Sequence, residues 1–175
     1  MQQDSRRLVV VRHAKAEQSA ETDHARRLLD RGRADATAAG RWLAGLGVAP
    51  DHALVSAASR AVETWTALAS GAGWDLQPAV DEGLYTAGAD TALDLLRGAP
   101  ADARVVVVVG HNPTMAQLAQ LLDDGGGDPE ALTAMMSGFP TSAVAVFEYD
   151  GAWADLDLTS ARLVAFHVGR GEPAS

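Results

Sequence analysis

Three short apolar runs divide the chain, and each has the length of a buried strand. Residues 7–11 and 105–109 are rich in valine, and residues 53–56 form a shorter run of the same kind. Polar residues hardly alternate with apolar ones inside these runs, a pattern typical of strands that are covered on both faces. We therefore predict a central sheet with a packing layer on each side.

Four other segments carry the periodicity of helices rather than strands. They are residues 30–46, 59–69, 91–96 and 113–122. Asp30 is the predicted N-cap of the first, and Gly47 stops it. Asn112 is the predicted N-cap of the last, with Pro113 at the first helical position, where proline is tolerated.

The remaining predicted elements rest on weaker patterns. We predict further strands at residues 76–80, 143–149 and 162–168. Pro78 weakens the first of them, and the turn Asp150-Gly151 is expected to join the other two. Residues 123–129 contain three glycines but no following lysine of a phosphate-binding loop, so they are interpreted as a surface loop. The tail at residues 169–175 is expected to be frayed.

Strands that alternate with helices along a chain are typical of an α/β fold. The order found here predicts a three-layer α/β/α sandwich with a mainly parallel central sheet. The 175 residues fit one domain, and no segment has the composition of a linker that would divide them. We predict a single domain over residues 1–175 with its core at about residues 7–168.

The composition excludes several kinds of partner. The net charge is −9, whereas proteins that bind nucleic acid usually carry a basic excess. The chain has no cysteine, so it has neither disulfides nor thiolate metal ligands. It lacks a run of roughly 18 apolar residues that could span a membrane and the apolar region of a secretory signal. We expect a cytoplasmic monomer that binds neither nucleic acid nor membrane.

Residues suited to phosphoryl chemistry follow two of the predicted strands. Arg12 and His13 come directly after the first apolar run, and His111 follows residues 105–109. Open α/β sheets bind their ligands at this edge. A neutral imidazole can attack phosphorus and form a covalent phosphohistidine, and a guanidinium matches phosphate oxygens. Arg60 lies in a first helical turn, where the helix dipole disfavours a cation, and this favours a functional role.

Three short motifs carry a resemblance to a known family. Arg-His-Ala-Lys-Ala at 12–16, Ser-Arg-Ala-Val-Glu-Thr at 59–64 and Gly-His-Asn-Pro at 110–113 occur in this order. Together they resemble the histidine phosphatase superfamily and, within it, the small SixA-type phosphohistidine phosphatases. The resemblance extends over most of the chain, and Ala14 replaces a glycine that many members carry.

The resemblance implies a phosphoglycerate mutase-like fold and a set of roles. His13 is the expected nucleophile, and Arg12 and Arg60 are expected to hold the non-bridging phosphoryl oxygens. His111 is expected to donate to a phosphoryl oxygen in the transition state. Ser56, at the end of a predicted strand, either contacts phosphate or serves the entry of the next helix.

Two further assignments stay open between neighbouring residues. Glu82 precedes an aromatic-containing turn and resembles the proton donor of related branches, but Asp81 beside it is an alternative. Arg26 lies in a stretch that resembles one in which an arginine before Pro-Leu-Thr contacts the phosphate. Here the proline position is Arg27 and the threonine position is Leu29. Either arginine could therefore face the site.

No metal or cofactor is expected, because the sequence lacks the usual spacings of metal ligands. His24, His52 and His167 are interpreted as surface or structural residues. The expected reaction is hydrolysis of phosphohistidine on a protein, since the chain is too short for the long insertions that cover metabolite sites in relatives. A small-molecule phosphomonoesterase is the alternative, and a catalytically silent phosphate-binding domain is a third hypothesis.

Overall fold

The computed structural model describes residues 5–172, and these form a six-stranded sheet. The strands are β1 (Ser5–Arg12), β2 (His52–Ser56), β3 (Ala79–Asp81), β4 (Val105–Gly110), β5 (Ala143–Asp150) and β6 (Arg162–Val168). Their order across the sheet is β3-β2-β4-β1-β5-β6. The first four in this order are mutually parallel, and β5 is antiparallel to both of its neighbours. The prediction of a mainly parallel sheet is therefore confirmed.

Helices cover both faces of this sheet. They are α1 (Asp30–Gly45), α2 (Ser59–Ala72), α3 (Glu82–Tyr85), α4 (Ala89–Arg97), α5 (Thr114–Leu122) and α6 (Pro129–Ser137), with a 3-10 turn at Trp153–Asp155. Side chains of α1 and α2 share one apolar cluster with the sheet. Side chains of α4, α5 and α6 share the other. This is the predicted three-layer α/β/α sandwich of phosphoglycerate mutase-like type.

The alternation of side chains along β1 shows how one strand serves both layers. Leu8 and Val10 belong to the cluster with α4, α5 and α6. Val9 and Val11 belong to the cluster with α1 and α2. Successive residues of a strand point to opposite faces, and all four side chains are at most 1% exposed. The unbroken apolar run therefore reflects a strand buried on both sides.

The structure differs from the sequence prediction in the region after β4. The surface loop at residues 123–129 ends sooner than predicted, because Asp128 caps a helix that begins at Pro129. Its Oδ2 accepts a hydrogen bond from the backbone N–H of Ala131 at 2.9 Å. The connection from β5 to β6 is also longer than a two-residue turn, since it includes the 3-10 turn at Trp153–Asp155.

Two predicted boundaries also change. Helix α5 begins at Thr114, one residue later than predicted, although Asn112 Oδ1 still accepts from the Ala116 N–H at 3.1 Å. The first residues of the predicted frayed tail pack on α1, where the Gly171 N–H donates to Asp35 Oδ1 at 3.0 Å. The buried carboxylate of Asp35 thus fixes residues 169–172, and residues 173–175 lie outside the described part of the chain.

Helices α1 and α2 approach so closely that glycines are required at their contact. A Cβ atom at Gly40 would lie 2.0 Å from the Leu68 carbonyl oxygen, and one at Gly71 would lie 2.1 Å from that of Thr37. Neither carbonyl can move without disturbing helical hydrogen bonds. This contact matters for the site described below, because α2 carries Arg60.

We expect Gly40→Ala to lower the free energy of unfolding by about 1–3 kcal/mol, the usual cost of overpacking. The matched control is Gly45→Ala at the end of α1, where a Cβ would meet nothing within 4 Å. It should leave stability unchanged or raise it by up to about 1 kcal/mol. Urea unfolding of both variants measures the difference. Equal stability of the two would contradict the close helix contact.

Candidate active site

The carboxyl ends of three parallel strands meet at one edge of the sheet. The register pairs Arg12 of β1 with Gly110 of β4, and the backbone N–H of His13 donates to the Gly110 carbonyl at 2.9 Å. The rings of His13 and His111 consequently lie with their centres 5.3 Å apart. Ser56 ends the neighbouring strand β2 at the same level. The structure therefore brings together both histidines predicted from the sequence.

His13 is held in one tautomer by a backbone hydrogen bond. Its Nδ1 lies 2.8 Å from the carbonyl oxygen of Ala14, which can only accept, so Nδ1 carries the proton and Nε2 keeps a free lone pair. The Ala14 N–H donates in turn to Thr64 Oγ1 at 2.9 Å, and that hydroxyl donates to the Arg60 carbonyl at 2.6 Å. The turn after β1 is thereby fixed to α2.

The electrostatic environment keeps His13 neutral. Burial is the largest effect and lowers the pKa of His13 to about 3, with further lowering by His111, Arg60 and Arg12. A hydrogen bond to the Ala14 carbonyl opposes this shift in part. A neutral imidazole with an unprotonated Nε2 is the form that can act as a nucleophile.

His111 presents the opposite ring nitrogen to the site. Its Nε2 lies 2.7 Å from Ser56 Oγ, and that hydroxyl already accepts from the Ala58 N–H at 3.3 Å. In the tautomer in which the Ser56 hydroxyl donates to Nε2, the ring proton of neutral His111 lies on Nδ1. Burial, followed by the charge of Arg60, lowers the pKa of His111 to about 4. Ser56 thus acts on His111, a role that its place at a strand end did not reveal.

Arg12 and Arg60 each keep a buried N–H without a partner. Arg60 is 6% exposed, and its two terminal nitrogens donate to the carbonyl and the Oδ2 of Asp23 at 2.8 and 3.1 Å. Arg12 donates through Nη1 to the Phe139 carbonyl at 3.2 Å. Within residues 5–172, the buried Nε atoms of both arginines and Nδ1 of His111 have no hydrogen-bond partner.

These three donors indicate a site for an oxyanion. Buried N–H groups are nearly always hydrogen-bonded in folded proteins, so a set that is not calls for an explanation. The charges of Arg60 and Arg12, and that of His111 when it is protonated, lower the pKa of His13. Two guanidiniums and an imidazole N–H beside a free Nε2 suit a phosphoryl group, since its transfer depends mainly on positioning and charge stabilisation.

Asp23 organises the cationic side of the site, and sequence analysis missed it. Its Oδ2 accepts from the Tyr85 hydroxyl at 2.6 Å as well as from Arg60, and its Oδ1 accepts from Arg26 Nη1 at 2.9 Å. The hydrogen bond from Tyr85, followed by the one from Arg26, holds the pKa of Asp23 well below its usual range. Asp23 binds the two terminal nitrogens of the Arg60 guanidinium and leaves its Nε–H without a partner.

Tyr85 and His24 complete this rim. The Tyr85 ring meets His111 edge-on with centres 5.6 Å apart, and His24 edge-on at 4.8 Å. The Arg60 guanidinium lies 6.0 Å from the Tyr85 ring centre. His24 is therefore a rim residue of the site. This place could not be predicted from the sequence, because the contacts of His24 join segments far apart along the chain. His167, by contrast, stacks on Trp42 with ring centres 4.6 Å apart.

The structure distinguishes Arg26 from Arg27. Arg26 faces the site, since it binds Asp23 and donates through Nε to the Glu17 carbonyl at 2.6 Å. Arg27 points away and pairs with Glu63 of α2 at 2.7 Å. Contact of Arg26 with a phosphate remains a prediction.

The carboxylates at residues 81 and 82 lie at the outer rim. Asp81 Oδ1 accepts from the Gly83 N–H at 2.6 Å and so caps α3. Glu82 has a side chain that is 75% exposed, and its Oε1 lies 3.4 Å from His24 Nε2. The role of Glu82 as proton donor therefore stays a prediction.

Residues 5–172 contain neither a metal-binding cluster nor a membrane-spanning helix. No group of three His, Asp or Glu side chains within residues 5–172 has an arrangement that could hold a metal ion. None of the helices between those residues is both long and apolar enough to span a bilayer.

Comparison with known sequences gives matches along most of the chain. The family described as "Histidine phosphatase superfamily (branch 1)" matches residues 8–88, a segment that contains Arg12, His13 and Arg60. An uncharacterized protein of Mycobacterium leprae (strain TN) is 37% identical over 148 residues, which cover 85% of this chain and 89% of that protein.

Solved structures give matches over the full fold. A candidate phosphohistidine phosphatase SixA from Nakamurella multipartitia is 35% identical with a TM-score of 0.81, and the match covers 98% of both chains. A candidate SixA from Agrobacterium tumefaciens is 31% identical with a TM-score of 0.74, covering 93% of this chain and 98% of that one. Both are similar to this chain from the first strand to the last.

The lowered pKa values of His13 and His111 predict a direct NMR result. We expect the C2-proton resonances of both rings to stay constant from about pH 8 to about pH 5.5, because folded-state protonation is displaced below the usual value of about 6.5. Loss of one signal in His13→Asn and in His111→Asn assigns them. A midpoint near 6.5 for either ring would contradict the burial of the site.

The lowered pKa values of His13 and His111 also make the free energy of unfolding depend on pH. Below about pH 6.5 the unfolded chain binds protons at these two positions and the folded chain does not. Their contribution to the free energy of unfolding should therefore be complete above that pH. It should decrease as the pH falls below about 6.5, and the decrease should end only below about 4 for His111 and about 3 for His13, where the folded chain binds these protons as well.

Proposed function

Because this chain belongs to the histidine phosphatase superfamily and is of its SixA type, we propose that it hydrolyses phosphohistidine on proteins. Membership makes it a metal-independent phosphatase, so the proposal concerns the bond cleaved and the residues that cleave it. One observation carries it. Buried nitrogens of Arg12, Arg60 and His111 have no partner, and the His13 ring, whose Nε2 is free, lies with its centre 5.3 Å from that of His111.

The first half of the proposed reaction transfers the phosphoryl group to the enzyme. The lone pair of His13 Nε2 attacks phosphorus, and a P–Nε2 bond forms as the P–N bond of the substrate breaks. The substrate reacts with the other nitrogen of its ring already protonated, so the leaving imidazole keeps that electron pair and departs neutral. Arg12, Arg60 and His111 donate to the three non-bridging oxygens and stabilise their charge in the transition state.

The second half returns the enzyme to its starting state. Water attacks the phosphorus of phospho-His13, the P–Nε2 bond breaks, and Nε2 recovers its lone pair as phosphate leaves. The hydrogen bond from Nδ1 to Ala14 persists in both halves, so the same nitrogen attacks in every cycle. Splitting one hydrolysis into two displacements is the general advantage of covalent catalysis.

The positions of the carboxylates favour a nitrogen leaving group over an alkoxide. Asp23 is ionised and saturated by Arg26, Arg60 and Tyr85, so it has no proton to donate. Glu82 is exposed and lies against His24 rather than against His13 or His111. An alkoxide of a sugar phosphate needs a well-placed acid. Imidazole departs without one, which fits this arrangement.

The proposal also defines the partner and the setting. A phosphorylated protein is the expected substrate, and two solved structures similar to this chain are described as candidate phosphohistidine phosphatases. A cytoplasmic location, a monomeric state and the lack of a nucleic-acid partner stay predictions from the sequence. A small phosphate ester is the alternative substrate, and the experiment below separates the two.

We expect rapid-quench experiments with a phosphorus-32 phosphohistidine protein to label the wild-type enzyme transiently. The label should be acid-labile and base-stable, as expected for a phosphohistidine. His13→Ala should lose the label and lower phosphate release by more than about a thousandfold, because the nucleophile is gone. His167→Ala is the matched control, since His167 stacks on Trp42 away from the site. It should keep both label and turnover.

The outcomes separate the three hypotheses. Labelled His13→Ala enzyme would overturn the assignment of the nucleophile. Wild-type turnover of glycerol phosphate or a nucleotide, without turnover of the phosphohistidine protein, would replace the substrate class by a small ester. A wild-type enzyme that hydrolyses none of these and no aryl phosphate would be a silent phosphate-binding domain.

A further inference from the structure

A shallow groove, open to solvent over most of its area, runs along the side of the site opposite to Asp23. It has a volume of about 670 Å³ and its lining includes Arg12, Ala134, Phe139, Pro140, Phe166 and Val168. Its walls come from the end of α6, the turn that follows that helix, and the edge strand β6. Arg12 is the only charged residue of its lining. We call this the Arg12 groove.

The Arg12 groove is joined directly to the oxyanion site. The Phe139 carbonyl, in the wall of the groove, accepts from Arg12 Nη1 at 3.2 Å and from Asn112 Nδ2 at 2.8 Å. Arg12 is the last residue of β1, and Asn112 lies two residues after the end of β4. One guanidinium therefore borders both spaces. A substrate whose phosphoryl group meets His13 and that extends past Arg12 enters this groove.

The two flanks of the site differ in chemistry. The flank opposite the groove carries the charged or polar side chains of Asp23, His24 and Glu82. The groove flank instead is lined by aliphatic residues and Phe166, with one hydroxyl, that of Ser137, and the Phe166 ring packs on the buried ring of Phe139 with centres 5.6 Å apart. Hydroxyl groups of a sugar phosphate would find few partners on the groove side. An apolar side chain would be removed from water there.

We propose that the Arg12 groove binds an apolar side chain of the substrate polypeptide, within a few residues of the phosphohistidine. This inference rests on the proposed function, and it adds that recognition extends beyond the phosphoryl group to sequence on one side of it. The occupant is an extended segment of a phosphohistidine protein. The groove would then select among phosphohistidine proteins without changing the chemistry at His13.

The chain offers a matched pair of variants on one helix. Ala134 and Thr133 are adjacent and exposed on α6, but only Ala134 lines the groove. Ala134→Gln would extend a neutral polar chain into the groove without adding a charge that could pair with Arg12. Thr133→Gln makes the same replacement outside it. Glutamine is a good helix former, so both should fold like the wild type.

The test uses synthetic phosphohistidine peptides that carry either Leu or Ser at single positions near the phosphohistidine. We expect the wild type and Thr133→Gln to prefer Leu over Ser by about 10- to 100-fold in kcat/KM at one position, the range for burying one such side chain. Ala134→Gln should lose this preference. All three should hydrolyse free phosphohistidine, which has no flanking residue, at equal rates.

Each other outcome has a defined meaning. Equal kcat/KM for Leu and Ser peptides at every position in an active wild type would overturn the groove proposal and leave the proposed function intact. An equal loss of preference in Ala134→Gln and Thr133→Gln would overturn it as well. A wild type that hydrolyses neither the peptides nor free phosphohistidine would instead reject the proposed function.

Discussion

The parallel hydrogen bonding between β1 and β4 determines where chemistry can occur in this protein. The register sets Arg12 beside Gly110, and the His13 N–H extends the ladder by one further bond to the Gly110 carbonyl. The histidine after each strand therefore reaches the same edge. Both strands are buried on both faces, so packing of the core and placement of the reacting groups have one cause.

The charge balance of the site follows from this placement. Arg12, Arg26 and Arg60 lie at one site of a protein whose net charge is −9. Burial keeps both histidines neutral. Asp23 offsets part of the positive charge by binding Arg26 and Arg60. Asp23 accepts from the two terminal nitrogens of Arg60. The Nε–H of Arg60 is left without a partner and can donate to an anion. The histidines can thus serve as nucleophile and donor, while the arginines supply the charge.

Features that are contiguous in the sequence could be predicted, whereas contacts between distant segments could not. The apolar runs of β1 and β4 and the motifs at their ends are contiguous, so they predicted the sheet and the places of His13 and His111. Asp23 gave no such signal, because its partners Arg60 and Tyr85 come from distant segments. Helix α6 was missed because Asp128-Pro129 can begin a helix or continue a loop, and packing against the sheet decides between them.

The most direct measurement is a crystal structure of the protein with bound orthovanadate, which forms five-coordinate analogues of phosphoryl transfer. We expect vanadium bonded to His13 Nε2, with its equatorial oxygens accepting from Arg12 Nε, Arg60 Nε and His111 Nδ1. Those three N–H groups would then have the partners that they lack within the described chain. Vanadate bound away from His13, or bonded to its Nδ1, would contradict this arrangement.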